Sequence, residues 1–81
     1  MHAFIEYLIK ELVSKPEQVV IDEVDEEGTT IYNIGVAQED MGLVIGKEGN
    51  TINSLRNLVK AKAIKDNVRV RIQLNEMYDT N

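Results

Sequence analysis

The residues best placed to do chemistry in this chain are Gly46-Lys47-Glu48-Gly49, set within the run Gly42-Leu43-Val44-Ile45-Gly46-Lys47-Glu48-Gly49-Asn50-Thr51-Ile52. An apolar helix end leads into a tight turn, and a second helix starts just beyond it. The two glycines let the chain reverse, and they remove side chains that would hold a ligand away from the backbone. Amides at the start of the second helix lack an intrahelical partner and point outward, where they suit an anion. Lys47 adds a mobile point charge. Val44, Ile45 and Ile52 flank the turn and would floor a narrow groove for unstacked bases. Together these residues point to single-stranded nucleic acid gripped largely through its backbone. A Gly-x-x-Gly turn between two helices also has a plainer use, which is to turn the chain.

Rival glycine motifs are excluded by spacing. A phosphate-binding Walker loop needs four residues between its first glycine and its Gly-Lys pair, then a hydroxyl residue for magnesium. Here three residues separate Gly42 from Gly46, and Glu48 follows Lys47. No Gly-x-Gly-x-x-Gly run is present for a dinucleotide. Gly42-x-x-x-Gly46 has helix-dimer spacing but lies in no segment of membrane length.

The remaining chemistry is sparse. There are no cysteines and one histidine, His2, so neither a disulfide nor a thiolate metal site is available, and no metal or cofactor is expected. The acid pairs Asp22/Glu23, Glu26/Glu27 and Glu39/Asp40 fit turns and a helix start. Ser14 and Ser54 read as surface positions far from any histidine partner. No catalytic constellation results. No apolar run approaches the ~20 residues of a membrane span. No charged segment precedes an apolar one as in a secretory leader. The expectation is a non-enzymatic cytoplasmic protein.

The net charge of −5 over 81 residues opposes nucleic acid, but its distribution is uneven. Residues 17–27 hold six acids (Glu17, Asp22, Glu23, Asp25, Glu26, Glu27) and no base. Residues 47–71 hold seven bases (Lys47, Arg56, Lys60, Lys62, Lys65, Arg69, Arg71) against Glu48 and Asp66. The two stretches can lie on separate surfaces, or both can be ordinary solvated faces.

The elements that must position the loop follow from periodicity. Phe4, Ile5, Leu8, Ile9, Leu12 and Val13 make an amphipathic helical stripe over residues 3–14, ended by Pro16. Its polar face has no basic cluster, so core packing is expected rather than a membrane surface. Residues 19–24 and 29–36 read as two strands joined by a turn at 25–28, an antiparallel hairpin with Thr30, Tyr32, Ile34 and Val36 on one face. A short helix starts at Gln38-Glu39-Asp40, its acids suiting the helix dipole, and runs to about residue 45. Asn50 or Thr51 caps the next helix, which runs to about residue 64 and buries Ile52, Leu55, Leu58, Val59 and Ala63. Asn53, Arg56 and Lys60 form one flank. After a turn at Asp66-Asn67, Val68, Val70, Ile72 and Leu74 alternate with Arg69, Arg71 and Gln73 as a strand. Residues from about 75 onward read as a frayed tail. The α-β-β-α-α-β order predicts one α+β domain over residues 1–81: two layers, with helices on one face of a three-stranded mixed sheet.

Val44-Ile45-Gly46-Lys47-Glu48-Gly49, preceded by Glu39-Asp40-Met41-Gly42, resembles the signature of KH domains. The element order is similar to the bacterial type II arrangement. About nine-tenths of the chain resembles the small stand-alone KH-domain proteins of bacteria, the KhpA (YlqC) family. The resemblance implies single-stranded RNA binding and post-transcriptional control, including an RNA-chaperone role. It also implies links to cell shape, cell division and cell-wall elongation, and a homodimer or a heterodimer with a larger KH-containing protein. It assigns Gly46, Lys47, Glu48 and Gly49 to the clamp and Val44, Ile45 and Ile52 to the groove floor. Asn50 at the helix start and Arg56 on the second helix complete the RNA contacts. Glu48 and the acidic total predict weak, salt-dependent binding, and no aromatic residue flanks the groove to stack on bases. A second reading makes the chain a protein-interaction module, with an architectural loop and RNA binding that depends on a partner.

Overall fold

A computed structural model describes residues 1–76 of the chain. Helix α1 (His2–Leu12) and a 3₁₀ turn (Pro16–Gln18) lead into strands β1 (Val20–Glu26) and β2 (Thr29–Val36). A second 3₁₀ turn (Gln38–Asp40) opens the short helix α2 (Met41–Ile45). The glycine loop, long helix α3 (Asn50–Asp66) and strand β3 (Arg69–Glu76) follow. The sheet order is β1-β2-β3, antiparallel between β1 and β2 and parallel between β2 and β3. This is the expected α+β architecture with a mixed sheet. The parallel pair requires a crossover connection, and α2, the loop and α3 supply it.

The hydrophobic stripes meet in one cluster between the layers. Ile5 and Ile9 of α1, Tyr32, Ile34 and Val36 of β2, Val44 of α2, Ile52, Leu55 and Val59 of α3, and Ile72 of β3 form it. Ile21, Ile34 and Leu74 share one register row, and Glu23, Tyr32 and Ile72 the next row on the same face, two residues along. As the central strand, β2 is the most buried of the three. Strand β1 is a mostly exposed edge and carries Asp22, Glu23, Asp25 and Glu26.

Several boundaries differ from the sequence expectation, each for a local reason. Helix α1 stops at Leu12, before Pro16, because Val13 is already extended at φ −93°, ψ 158°. Pro16 instead occupies the first position of the 3₁₀ turn, where its fixed φ and missing N–H do no harm. The hairpin turn is tighter than residues 25–28. Glu26 pairs with Thr29 and leaves only Glu27 and Gly28 as the loop. Both have positive φ, 51° and 87°, as two-residue turns matched to strand twist require.

Helix α3 continues past residue 64 to Asp66 and closes on Asn67, which is left-handed at φ 60°, ψ 45°. The Val68 amide donates to the Ala63 carbonyl at 2.9 Å and the Asn67 amide to that of Ile64 at 3.1 Å, a Schellman closure. Leu58 is not part of the buried face: it is 52% exposed. The buried stripe steps from Leu55 to Val59 and Ala63, leaving Leu58 beyond its edge. Residues 75 and 76 are not tail, since Gly35 pairs with Asn75 and Val36 with Glu76. The rest of the expected tail, 77–81, lies outside the described residues.

Candidate nucleic-acid interface

Gly46 ends α2. Its amide donates to the Gly42 carbonyl at 2.8 Å, and its φ of 76° with ψ of 175° is a conformation that essentially only glycine adopts. A β-carbon there would stand 2.6 Å from Thr51 Cβ and 2.8 Å from the Thr51 amide nitrogen. The requirement for glycine is therefore both conformational and steric. Lys47 and Glu48 follow on the exposed crest. Glu48 is left-handed at φ 55°, ψ 28°, and Gly49 is left-handed at φ 77°, ψ 8°. The Gly49 amide donates back to the Gly46 carbonyl at 3.2 Å, closing the turn.

Gly49, not Asn50 or Thr51, is the N-cap of α3, and no side chain caps the helix. The chain enters from a left-handed glycine, which places Asn50 and Thr51 already inside the first turn. The Asn50 amide donates to the Lys47 carbonyl, and the amides after it stand, without a side-chain cap, at the positive end of a 17-residue helix.

The apolar flank divides. Val44 is fully buried in the core and Ile52 nearly so, at 0% and 7% exposed. In this conformation Val44 does not form a groove floor; it supports one from beneath. The reason is helical geometry, since Val44 faces the sheet while its neighbours Leu43 and Ile45 face out. Ile45, 37% exposed, is the apolar surface beside the loop.

From the loop, α3 runs alongside β3. Arg56 and Lys60, one turn apart, face Arg71 across an open groove of about 350 Å³ whose floor is Val59, Val70 and Ile72. Among the described residues, ion pairs engage Lys10, Lys15 and Lys62. None engages Lys47, Arg56, Lys60, Arg69 or Arg71. The acids of β1 lie across β2 from β3, and only toward the hairpin end do the two charge stretches meet, where Asp25 and Arg69 line one cavity. The sequence places Lys60 beside Arg56 on one helix flank and Arg71 in the last strand, but does not bring the two elements together. The approach of Arg71 to Arg56 and Lys60 depends on β3 pairing parallel to β2 and lying beside α3.

A further tie positions α2. Asp40, 1% exposed, accepts the Ser14 amide (3.1 Å) and hydroxyl (2.6 Å) on Oδ1 and the Lys15 amide (3.0 Å) on Oδ2. The Ser14 hydroxyl bond is the main cause that holds the Asp40 carboxyl below its ordinary 3.8; burial opposes it, and the two amides and the Lys15 charge add to it. Lys15 Nζ meets Glu39 at 3.2 Å beside it. Asp40 therefore latches the end of α1 to the start of α2 and does not cap α2. Ser14 is exposed, as its sequence reading had it, and is also a partner in that latch.

Among the described residues, no group of three His, Cys, Asp or Glu side chains is arranged to hold a metal ion, and no helix is long and apolar enough to cross a membrane.

The sequence profile described as KhpA/KhpB, KH domain, matches residues 2–74. Similar proteins include the RNA-binding protein KhpA of Chlamydia trachomatis, 45% identical over 76 residues that cover 94% of this chain and 97% of that protein. The RNA-binding protein KhpA of Clostridium perfringens is 43% identical, covering 91% of this chain and 99% of that one. That of Thermotoga maritima is 48% identical, covering 75% and 81%.

Proposed function

We propose that this chain, which belongs to the KhpA/KhpB KH-domain family, binds single-stranded RNA by clamping its backbone at Gly46-Lys47-Glu48-Gly49. The observation that carries this is the joint placement of a bare glycine loop, an uncapped helix start and a groove lined by unpaired cations. Phosphate oxygens meet the Lys47 ammonium and the amides that follow Asn50 in the first turn of α3. Gly46 and Gly49 let the ribose-phosphate chain approach. Bases lie over Ile45 and toward the α3–β3 groove, above Ile52, with Asn50 and Arg56 at its side. Relatives covering nearly the whole chain are named RNA-binding proteins, which supports RNA over DNA. With no aromatic at the groove and Glu48 in the crest, grip on the backbone outweighs base stacking, so affinity is modest and falls steeply with salt. A cytoplasmic role in post-transcriptional control fits a sequence-tolerant binder of this kind.

A second reading is favoured by one feature. Tyr7 of α1 and Leu58 of α3 are large apolar side chains more than half exposed on the helical layer. They would suit pairing with a second copy or with a larger KH-containing protein, leaving the loop architectural. The two readings separate on a variant carrying Lys47→Asp and Glu48→Asp. On the clamp reading, fluorescence anisotropy with a short labelled RNA shows binding abolished while circular dichroism shows the fold kept. Persistent RNA binding by that variant would refute the clamp.

A further inference from the structure

Strand β1 presents an edge that nothing among the described residues covers. All its residues, Val20–Glu26, pair with β2, and no strand lies on its other side. A two-residue turn closes on a pair that exchanges hydrogen bonds, here Glu26 and Thr29, and bonded pairs alternate from there. Val20, Asp22, Val24 and Glu26 therefore turn their backbone groups toward β2. Ile21, Glu23 and Asp25 turn theirs outward, as a row of N–H and C=O groups without strand partners. All of β1 except Ile21 is exposed. Such an edge is a template for one more strand.

The side chains along the edge set what that strand must carry. Asp22, Val24 and Glu26 stand in rows with Asn33, Ile31 and Thr29, on one face of the sheet. Ile21, Glu23 and Asp25 stand in rows with Ile34, Tyr32 and Thr30, on the face that packs against the helices. From Ile21 onward, an added strand meets an apolar residue, two acids, the 45% exposed Val24 and two more acids. Glu23 meets His2 Nδ1 at 3.7 Å, while Asp22, Asp25 and Glu26 make no ion pair among the described residues. A second copy of β1 would set acid against acid, and RNA would meet like charge. A basic strand meets opposite charge along its whole length. Acids alone are a solvated surface; the outward row of backbone groups is what calls for a strand.

We infer that β1 docks an extended basic segment of another protein as a fourth strand, in which pairs of lysine or arginine alternate with single apolar residues. Backbone bonds to Ile21, Glu23 and Asp25 hold the segment, and its charge selects it. Strand β1 is the edge opposite β3, so docking there leaves the α3–β3 groove open. The inference does not depend on the clamp reading.

The test uses the full chain and the peptide Lys-Lys-Val-Lys-Lys-Val-Lys-Lys, which reads the same in both directions and so fits a parallel or an antiparallel approach. In NMR titrations the β1 amides should shift. Hydrogen exchange should slow severalfold at Ile21, Glu23 and Asp25 and change little at Asp22, Val24 and Glu26, which already bond to β2. The control peptide Lys-Lys-Pro-Lys-Lys-Pro-Lys-Lys has the same charge and cannot pair as a strand. It should bind about tenfold more weakly or worse and slow no exchange, and this comparison needs no change to the protein. Asp22→Lys/Asp25→Lys, at two exposed positions, should weaken the valine peptide by about tenfold, with the fold checked by circular dichroism. Equal affinity for the two peptides would mean that charge alone holds them and would overturn the inference. Unchanged exchange at Ile21, Glu23 and Asp25 at millimolar valine peptide would overturn it too. So would protection of those amides by self-association of the chain or by an oligouridylate.

Discussion

Replacing each loop glycine by alanine separates conformational strain from steric conflict. Gly49 is left-handed, and the nearest atom to a β-carbon there is Asn53 Nδ2 at 3.9 Å. Gly49→Ala should therefore cost only the left-handed penalty of an L-residue, about 1–2 kcal/mol. Gly46 lies in a region almost reserved for glycine, at about 1–3 kcal/mol for strain. Its β-carbon also collides with Thr51 Cβ and backbone nitrogen, and overpacking of that kind costs about 1–3 kcal/mol more. Gly46→Ala should thus lose about 2–6 kcal/mol, against a total stability of roughly 4–12 kcal/mol for a chain this size. Urea denaturation followed by circular dichroism measures both. With a slope near 1 kcal/mol per molar, Gly49→Ala moves the midpoint by about 1–2 M. Gly46→Ala moves it further or leaves no cooperative transition. Thr51→Gly removes the colliding side chain, so the double variant Gly46→Ala/Thr51→Gly should be more stable than the sum of the single effects predicts, by about 1 kcal/mol or more. Equal costs at Gly46 and Gly49, or strict additivity with Thr51, would refute the steric argument.

Other perturbations follow from the same geometry. Asp40→Asn should lower Tm by several degrees at neutral pH, because one amide oxygen cannot replace two carboxylate oxygens that serve three donors. The folded state depresses the Asp40 pKa below 3.8. The latch is therefore at full strength above about pH 4, and its contribution is lost as the pH falls through the lower folded value. Tm measured against pH should show that acid limb in the parent and a shallower one in Asp40→Asn; identical limbs would exclude the latch. Glu48→Gln removes a like charge from the phosphate-facing crest and should tighten RNA binding severalfold at low salt, with the gain shrinking as salt rises. Unchanged or weaker binding would mean that Glu48 does not face the RNA. Ile34→Ala, at the fully buried centre of β2, should cost about 2–5 kcal/mol by thermal or urea unfolding; a cost below 1 kcal/mol would contradict the core assignment.

The elements that depend on local pattern were legible in the sequence. The stripe Ile5, Ile9 and its neighbours, the alternation Val70, Ile72, Leu74 and the spacing Gly46 to Gly49 each fix a conformation within a few residues. Features set by distant partners were not. Asp40 and Ser14 are 26 residues apart, so an acid that reads locally as a dipole partner becomes a latch only when α1 packs beside α2. Leu58 looks buried on an ideal wheel, but the arc that the sheet reaches ends at Leu55 and Val59. Val44 looks like groove surface in a linear run, yet its helical phase turns it into the core. The groove cations come from two elements whose adjacency is a property of sheet order. The sequence sets Lys60 beside Arg56 on one helix flank and Arg71 in the last strand, without bringing them together.

The most direct test is NMR shift mapping with a short single-stranded RNA at low and at physiological salt. The account predicts shifts centred on residues 44–52 and on the Arg56 side of α3, large at low salt and reduced as salt rises. Silence at Gly46 to Gly49 even at low salt would contradict it, and would leave the chain as a protein-pairing module whose partner meets the RNA.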